Sequence, residues 1–269
     1  MRRGFLVLAV AVLWCSRAEA APCERRVFEG SAFTLCAFDS RRDELRLVWT
    51  GAAGGALRSF ARLADALGPD ARRVRFAMNA GMFEESGMPL GLFVERGVVR
   101  RPLNTRSGGG NFYLKPNGVF LLARDGQVRV ETSDALTAES TPPLYATQSG
   151  PMLVIDGAFN PQITADGPSR KIRNGVGMRG AHTAVFAISE EPVSFGRLAR
   201  LFRDALGCRN ALYLDGTISS AWIPALARQD AAAPLGPMVV VLGGPAEAPP
   251  PDPVPAPRVR HLPHHKRAS

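Results

Sequence analysis

The chain has 269 residues, 46% of them hydrophobic, four cysteines and a formal net charge of +9. That apolar fraction suits a globular core of one large domain or two small ones. A basic leader and a basic tail each account for +2 of the charge. The near +5 that remains is mild and arginine-rich, and no basic stripe alternates with aromatics. That speaks against nucleic acid and suits anionic groups such as phosphate or an envelope polymer.

The chain opens Met1-Arg2-Arg3, runs apolar over 4–14 and reaches Ala18-Glu19-Ala20. A basic start, a short apolar run and an A-x-A site predict a secretory signal over 1–20, cleaved after Ala20. The run is too short to span a bilayer, and bulky Trp14 before Cys15 argues against a lipoprotein. No later stretch is apolar enough for a membrane anchor, so a soluble periplasmic or secreted protein is expected.

Cys23, Cys36 and Cys208 remain after cleavage, and export permits a disulfide. Cys23 and Cys36 flank 27–38, which reads as two short strands around Glu29-Gly30. Their bridge is the first choice of three pairings and would leave Cys208 free; three reduced thiols are the alternative. Strands are predicted at 33–39 and 45–49, and a helix at 56–67 with Leu57, Phe60, Leu63, Ala64 and Leu67 on one face, stopped by Gly68-Pro69. A short strand follows at 74–78. Residues 92–100 read as a hairpin turning at Glu95-Arg96-Gly97. Segments 112–114, 119–123 and 128–131 read as a meander with turns at Pro116-Asn117-Gly118 and Arg124-Asp125-Gly126. Further strands are expected at 152–155, turning at Asp156-Gly157, and at 183–188, 211–214 and 238–242. A second helix is expected at 195–206, with Ser194 able to cap its start and Gly207 its end. From residue 244 the chain is dense in proline and predicts a disordered basic tail, 244–269, in which His261, His264 and His265 are most simply solvated. The fold class expected is α+β, with mixed β-sheets packed against two or more helices in a single domain over 21–243.

The two helices echo each other. Both end in Asp-Ala-Leu-Gly, at 65–68 and 204–207, and each leads through arginine to a short apolar strand. The strands end in Asn79-Ala80-Gly81 and Asp215-Gly216, which makes Asn79 and Asp215 equivalent strand ends if the units are related. Strand ends facing a common cleft are where catalytic side chains tend to sit.

His182 is the only histidine in the folded region, and it reads as a hydrogen-bonded strand residue. A histidine-rich zinc site is therefore excluded, and a Ser-His-Asp site would have to use this one residue. No nucleophile elbow, phosphate-binding Walker loop or dinucleotide fingerprint occurs. No cofactor is implied, although oxygen ligands around Asp215 leave room for a bound calcium. The remaining Asp, Glu, Asn, Arg, Ser and Gly suit glycoside or phosphodiester chemistry, in which carboxylates act on the anomeric centre and an arginine fork grips phosphate. Polar, glycine-rich segments at 77–91, 104–120, 148–152 with 170–178, and 212–222 would let backbone amides approach a ligand.

Three of these segments carry a resemblance. Asn79-Ala80-Gly81-Met82-Phe83, Arg173-Asn174-Gly175-Val176-Gly177 and Leu214-Asp215-Gly216-Thr217-Ile218-Ser219-Ser220 resemble, in order and spacing, the elements of the phosphodiester glycosidase family. The stretch 111–118 points to its bacterial exported branch. Ala80, Thr217 and Ile218 stand where the family pattern has glycine, which implies a different sugar or polymer, or a pocket kept without turnover. The resemblance implies a hydrolase acting on a sugar-1-phosphodiester or related bond of a glycan, with a glycan or sugar-phosphate as partner. Oligomeric state stays open. The expected catalytic residues are Asp215 as nucleophile, base or orienting carboxylate, Asn79 as a hydrogen-bonding or orienting group, and Arg173 as phosphate clamp. Gly81, Arg106, Ser149, Asn174, Gly216, Ser219 and Ser220 are expected to line the substrate site, with Arg106 a second, weaker clamp. Glu84 or Glu85 would supply another carboxylate, and Asp156 reads as a turn residue. The alternative is a non-catalytic periplasmic glycan- or phosphate-binding protein.

Overall fold

The computed structural model describes residues 22–138 and 141–244. The expected leader, and the expected tail beyond 244, lie outside the described residues. Strands β1 (Cys23–Phe28) and β2 (Ser31–Asp39) form a hairpin through Glu29 and Gly30, both with positive φ. Cys23 pairs directly opposite Cys36 and is disulfide-bonded to it, while Cys208 is free and buried. Next come β3 (Asp43–Val48), α1 (Phe60–Leu67) and β4 (Val74–Asn79). The predicted hairpin follows as β5 (Phe93–Glu95) and β6 (Val98–Arg101), then β7 (Gly118–Leu122), β8 (Val128–Thr132), β9 (Tyr145–Ser149), β10 (Met152–Ile155) and β11 (Ala158–Phe159). The chain continues with β12 (Asn174–Arg179), β13 (Thr183–Ser189), α2 (Phe195–Arg200), β14 (Asn210–Tyr213), β15 (Ala221–Ile223), β16 (Arg228–Gln229) and β17 (Met238–Gly243).

These strands make three sheets, in the orders β1-β2-β13-β12-β14-β10-β11, β16-β15-β4-β17-β3 and β6-β5-β9-β7-β8. The fold is α+β, as expected. Apolar faces of all three sheets meet in one central core. Phe186 of the first sheet lies 5.0 Å from Phe76 of the second and 5.7 Å from Phe120 of the third. Each such buried ring stabilises the fold by about 1.5–3 kcal/mol.

Period-two alternation gives the central strands two buried faces. In β14 and the residue after it, Leu212 and Leu214 enter the central core, while Ala211 and Tyr213 face the layer under α2. In β17, Val239 and Val241 face the centre, while Val240 and Leu242 face the layer under α1. Charges cluster at the end of β4 away from Asn79. There Arg46 pairs with Glu44 and with Asp70 at 3.0 Å, Arg73 with Glu44 at 3.0 Å and Asp70 at 2.9 Å, and Arg75 with Asp43 at 2.6 Å.

The structure differs from the sequence expectation at four places. Helix α1 begins at Phe60 rather than 56, because Arg58 has a left-handed φ of 65° and Ser59 caps the helix through its hydroxyl. Leu57 donates to the Trp49 carbonyl and is buried with α1 without belonging to it. The second helix passes at Leu201–Ala205 into a π-helical turn, closed by Leu206 N–H on the Leu201 carbonyl. The expected strand at 112–114 is a 3₁₀ turn, Asn111–Tyr113. Phe112 there plugs the space that Gly91 leaves: a Cβ on Gly91 would lie 2.8 Å from the ring. Residues 174–178, read as a polar loop, form β12 in the middle of the first sheet. Gly175 and Gly177 are needed there because Phe202 presses on them: a Cβ would lie 3.0 and 2.8 Å from its ring.

Candidate functional site

Strands β4 and β14 end side by side although they belong to different sheets. The Asp215 N–H donates to the Ala80 carbonyl at 3.1 Å, and the Asn79 amide donates to the Asp215 carbonyl. Asn79 Oδ1 accepts from Asn174 Nδ2 at 2.8 Å and from Ser220 N–H at 2.9 Å. Asn79 is 1% exposed. Its amide therefore ties the ends of β4, β12 and β14 to the start of β15, and it orients Asp215 through the main chain rather than through the carboxylate.

Asp215 opens a 3₁₀ turn, Gly216–Ile218, and its Oδ1 accepts from Thr217 N–H at 3.2 Å. It makes no ion pair with any described residue. Burial pushes its carboxyl up to about 6, with the Thr217 amide acting in the opposite direction. Ser219 Oγ donates to the Gly216 carbonyl at 3.0 Å and Ser220 Oγ to the Ile218 carbonyl at 2.8 Å, so both hydroxyl protons brace the turn. Gly216 is required by close approach, since a Cβ there would lie 2.1 Å from the Tyr213 hydroxyl. Gly81 is similar: a Cβ would lie 2.3 Å from the Gln148 carbonyl, and its N–H donates to Thr147 Oγ1.

Arg173 precedes β12 and is 1% exposed. Its Nε donates to the Val193 carbonyl at 2.9 Å and Nη2 to the Ser169 carbonyl at 3.0 Å, while the guanidinium stacks 3.6 Å over the Phe195 ring. Burial lowers its pKa, and Tyr213 beside it counteracts that shift. Tyr213 is itself raised, first by burial and further by Asp215, with Arg173 pulling the other way. Three buried polar atoms of this region lack a protein partner: Arg173 Nη1, Asn174 Oδ1 and Ser149 Oγ. A buried polar atom left unpaired costs about 1–3 kcal/mol, so such atoms mark places where a ligand or water completes the bonding.

The structure thus brings together Asp215, Asn79, Asn174, Gly81, Gly216, Ser219 and Ser220, with Arg173 joined to Asp215 through Tyr213. Arg106 lies on an exposed loop. Its N–H and Nε reach Asn104 Oδ1, and it lines a separate hollow of about 290 Å³ with Leu90, Arg101 and Leu103. Glu84 and Glu85 are exposed, and Glu84 faces Arg101 at 3.5 Å. His182 lies at the other end of β13, about 20 Å along the strand from the site at ~3.4 Å per residue, with Nδ1 near the Gly126 carbonyl. Among the described residues no three His, Cys, Asp or Glu side chains gather as metal ligands. Sequence reasoning missed Tyr213, taken as strand filler, and Gln148. The Gln148 side chain makes four buried hydrogen bonds, to Leu92, twice to the Asn104 backbone, and to Ser133. A glutamine between Thr147 and Ser149 in a fully buried strand has no local signal of that role.

The sequence model described as phosphodiester glycosidase matches residues 72–242. Protein YigE of Escherichia coli (strain K12), described as uncharacterized, is 36% identical over 224 residues, covering 83% of this chain and 85% of that protein. Among solved structures, the catalytic domain of zebrafish N-acetylglucosamine-1-phosphodiester alpha-N-acetylglucosaminidase, auto-inhibited by its pro-peptide, matches with a TM-score of 0.53. The identity is 13%, over 82% of this chain and 81% of that one. A hypothetical protein from Synechocystis matches with a TM-score of 0.52 at 14% identity, over 82% of this chain and 61% of that one. At these identities the two structures speak for the fold alone. No helix among the described residues is long and apolar enough to cross a membrane.

Proposed function

The chain belongs to the phosphodiester glycosidase family, and from that premise we propose that it is an exported hydrolase of a sugar-1-phosphodiester, or a related glycosidic bond, in an envelope or extracellular glycan. The observation that carries this reading is Asp215. It is a carboxylate at a strand end, with no ion partner and a pKa raised by burial to about 6. A group poised near neutral pH is suited to acid–base or nucleophilic work. In a site of reduced dielectric its charge would stabilise the oxocarbenium-like centre that forms as the phosphate departs. Asn79 holds the main chain on which that carboxylate rides. Arg173 would offer the phosphate its Nη1, the guanidinium nitrogen without a protein acceptor. Gly81 and Gly216 let Gln148 and Tyr213 pack close beside the site. Ser149, Asn174, Ser219 and Ser220 would line the pocket, with Arg106 contacting only a substrate long enough to reach its loop.

The test is release of sugar from an α-N-acetylglucosaminyl phosphodiester by purified protein. Turnover is expected to rise as pH climbs through about 6 and to fall about 10³-fold in Asp215→Asn. An Asp215→Asn protein that folds normally and turns over like the wild type removes Asp215 from the mechanism. One observation favours a second reading, a binder that keeps the pocket without turnover: Glu84 and Glu85, the other carboxylates considered, are exposed. Saturable protection against thermal unfolding by the diester, with no sugar released, would select that reading.

A further inference from the structure

Beside the start of α1 lies a groove of about 470 Å³, lined by Leu57, Arg58, Ser59, Arg62, Asp230 and Leu235 together with residues 231–234. Two of these side chains are cations, and neither forms an ion pair with a described residue. Arg58 Nη1 is buried with no acceptor on the side of Gly87 and Phe83, which do not line the groove. The guanidinium lies 5.3 Å over the Phe83 ring, and a Cβ on Gly87 would come within 2.4 Å of Nη1. Arg58 also holds a φ of 65°, a conformation arginine seldom adopts. Phe83 and Gly87 fix the guanidinium at the groove's edge, with Nη1 turned to Gly87. The groove's carboxylate, Asp230, is already committed: Oδ2 accepts from Arg228 Nε and from Ala221 N–H, each at 2.9 Å. The groove is therefore net positive over an otherwise largely apolar wall.

The groove adjoins the Asp215 site. Phe83 closes the Asn79–Phe83 segment, Asp230 anchors β15 one residue after Ser220, and Ile218 packs on the same cluster as Leu57, Phe60 and Leu235. Ile218 stands where the family pattern has glycine, so the turn carrying Asp215 leans on the groove wall. We infer that the groove is an anion subsite, in which Arg58 and Arg62 hold a phosphate or carboxylate group of the substrate beyond the bond that is cleaved. Only the identity of the ligand as substrate rests on the function proposed above.

Binding is to be measured on the full chain. Inorganic phosphate, followed by ³¹P line broadening, is expected to bind wild type and Asp215→Asn alike, and about tenfold more weakly to Arg58→Gln. On the Asp215→Asn background, calorimetry with two diesters, one bearing an anionic and one a neutral aglycone, should show about a tenfold preference for the anionic one. Adding Arg62→Gln, at an exposed position where folding is not at risk, should erase that preference. An unchanged phosphate affinity in both arginine variants overturns the subsite. Phosphate binding that Arg58→Gln weakens, without a preference between the diesters, confines the groove to free phosphate, and the inference then fails as stated. Should Asp215→Asn retain turnover, the proposed reaction falls while the phosphate titration still decides the groove.

Discussion

Asn79 and Asp215 end two strands that follow the same Asp-Ala-Leu-Gly helix ending, and they meet in space with opposite characters. Asn79 is sealed: its amide spends both ends on the backbone of Asp215 and Ser220 and on Asn174. Asp215 keeps its carboxylate almost unspent, with one bond from Thr217 N–H. One strand end is a bracket and the other carries a carboxylate on the main chain that the bracket holds. The difference comes from what surrounds each. Asn79 has neighbours on β12 and at the start of β15, whereas Asp215 faces a turn whose first residue is a glycine.

The largest effect that tests this division is on turnover. Asp215→Asn keeps an acceptor for Thr217 N–H but loses the charge, and is expected to lower kcat by about 10³-fold, or about 4 kcal/mol in the barrier. If Asn79→Ser produced the same loss with no change in stability, the roles would be wrongly divided. Next is Asn79→Ala, which strands the Ser220 N–H, the Asn174 amide and the Asp215 carbonyl. At about 1–3 kcal/mol for each buried group left unpaired, it should destabilise by roughly 3 kcal/mol in urea unfolding. A loss below about 0.5 kcal/mol would place Asn79 outside the bracket.

Asp215 should itself cost stability in a pH-dependent way. Its folded value of about 6 lies above the ordinary 3.8, so the folded state binds the proton more tightly than the unfolded chain. The penalty is absent below about pH 4, grows as pH rises to about 6 and is constant above that. Asp215→Asn is therefore expected to match wild type near pH 4 and to exceed it by about 3 kcal/mol at pH 7. An equal difference at both pH values would show that the carboxylate is not desolvated. The smallest effect concerns the glycine. Gly216→Ala should cost about 1–2 kcal/mol by overpacking against the Tyr213 hydroxyl. Tyr213→Phe, which removes that oxygen but leaves ring carbons 2.7 Å from the added Cβ, should recover only part of it. Purely additive losses in this double-mutant cycle would mean the contact is not the cause.

Local chemistry was enough to read much of this. The β1–β2, β5–β6 and β7–β8 hairpins were legible because their turns carry glycine where φ is positive. The Cys23–Cys36 bridge followed from the same hairpin, and Ser194 marks a helix start through its own hydroxyl. Strand β12 was not legible. Its glycines imitate a loop, and only the pressure of Phe202 from across the layer explains them. The start of α1 was hidden too, because Leu57 is buried with the helix for a tertiary reason, its bond to Trp49, while its spacing imitates helical periodicity.

What the chain determined by itself was the set of hairpins, a first choice among the disulfide pairings, the two helix segments and a shortlist of polar strand ends headed by Asp215. Those depend on turn chemistry, capping and alternation, which act over a few residues. The tertiary structure alone decided which strand ends meet, that Asn79 serves the main chain, that Arg173 is buried against Phe195, that Arg106 is exposed and that burial pushes the Asp215 carboxyl up to about 6. Each of these is set by desolvation and by hydrogen bonds between residues nearly a hundred or more positions apart, or by distance within the fold, and no local pattern encodes such neighbours.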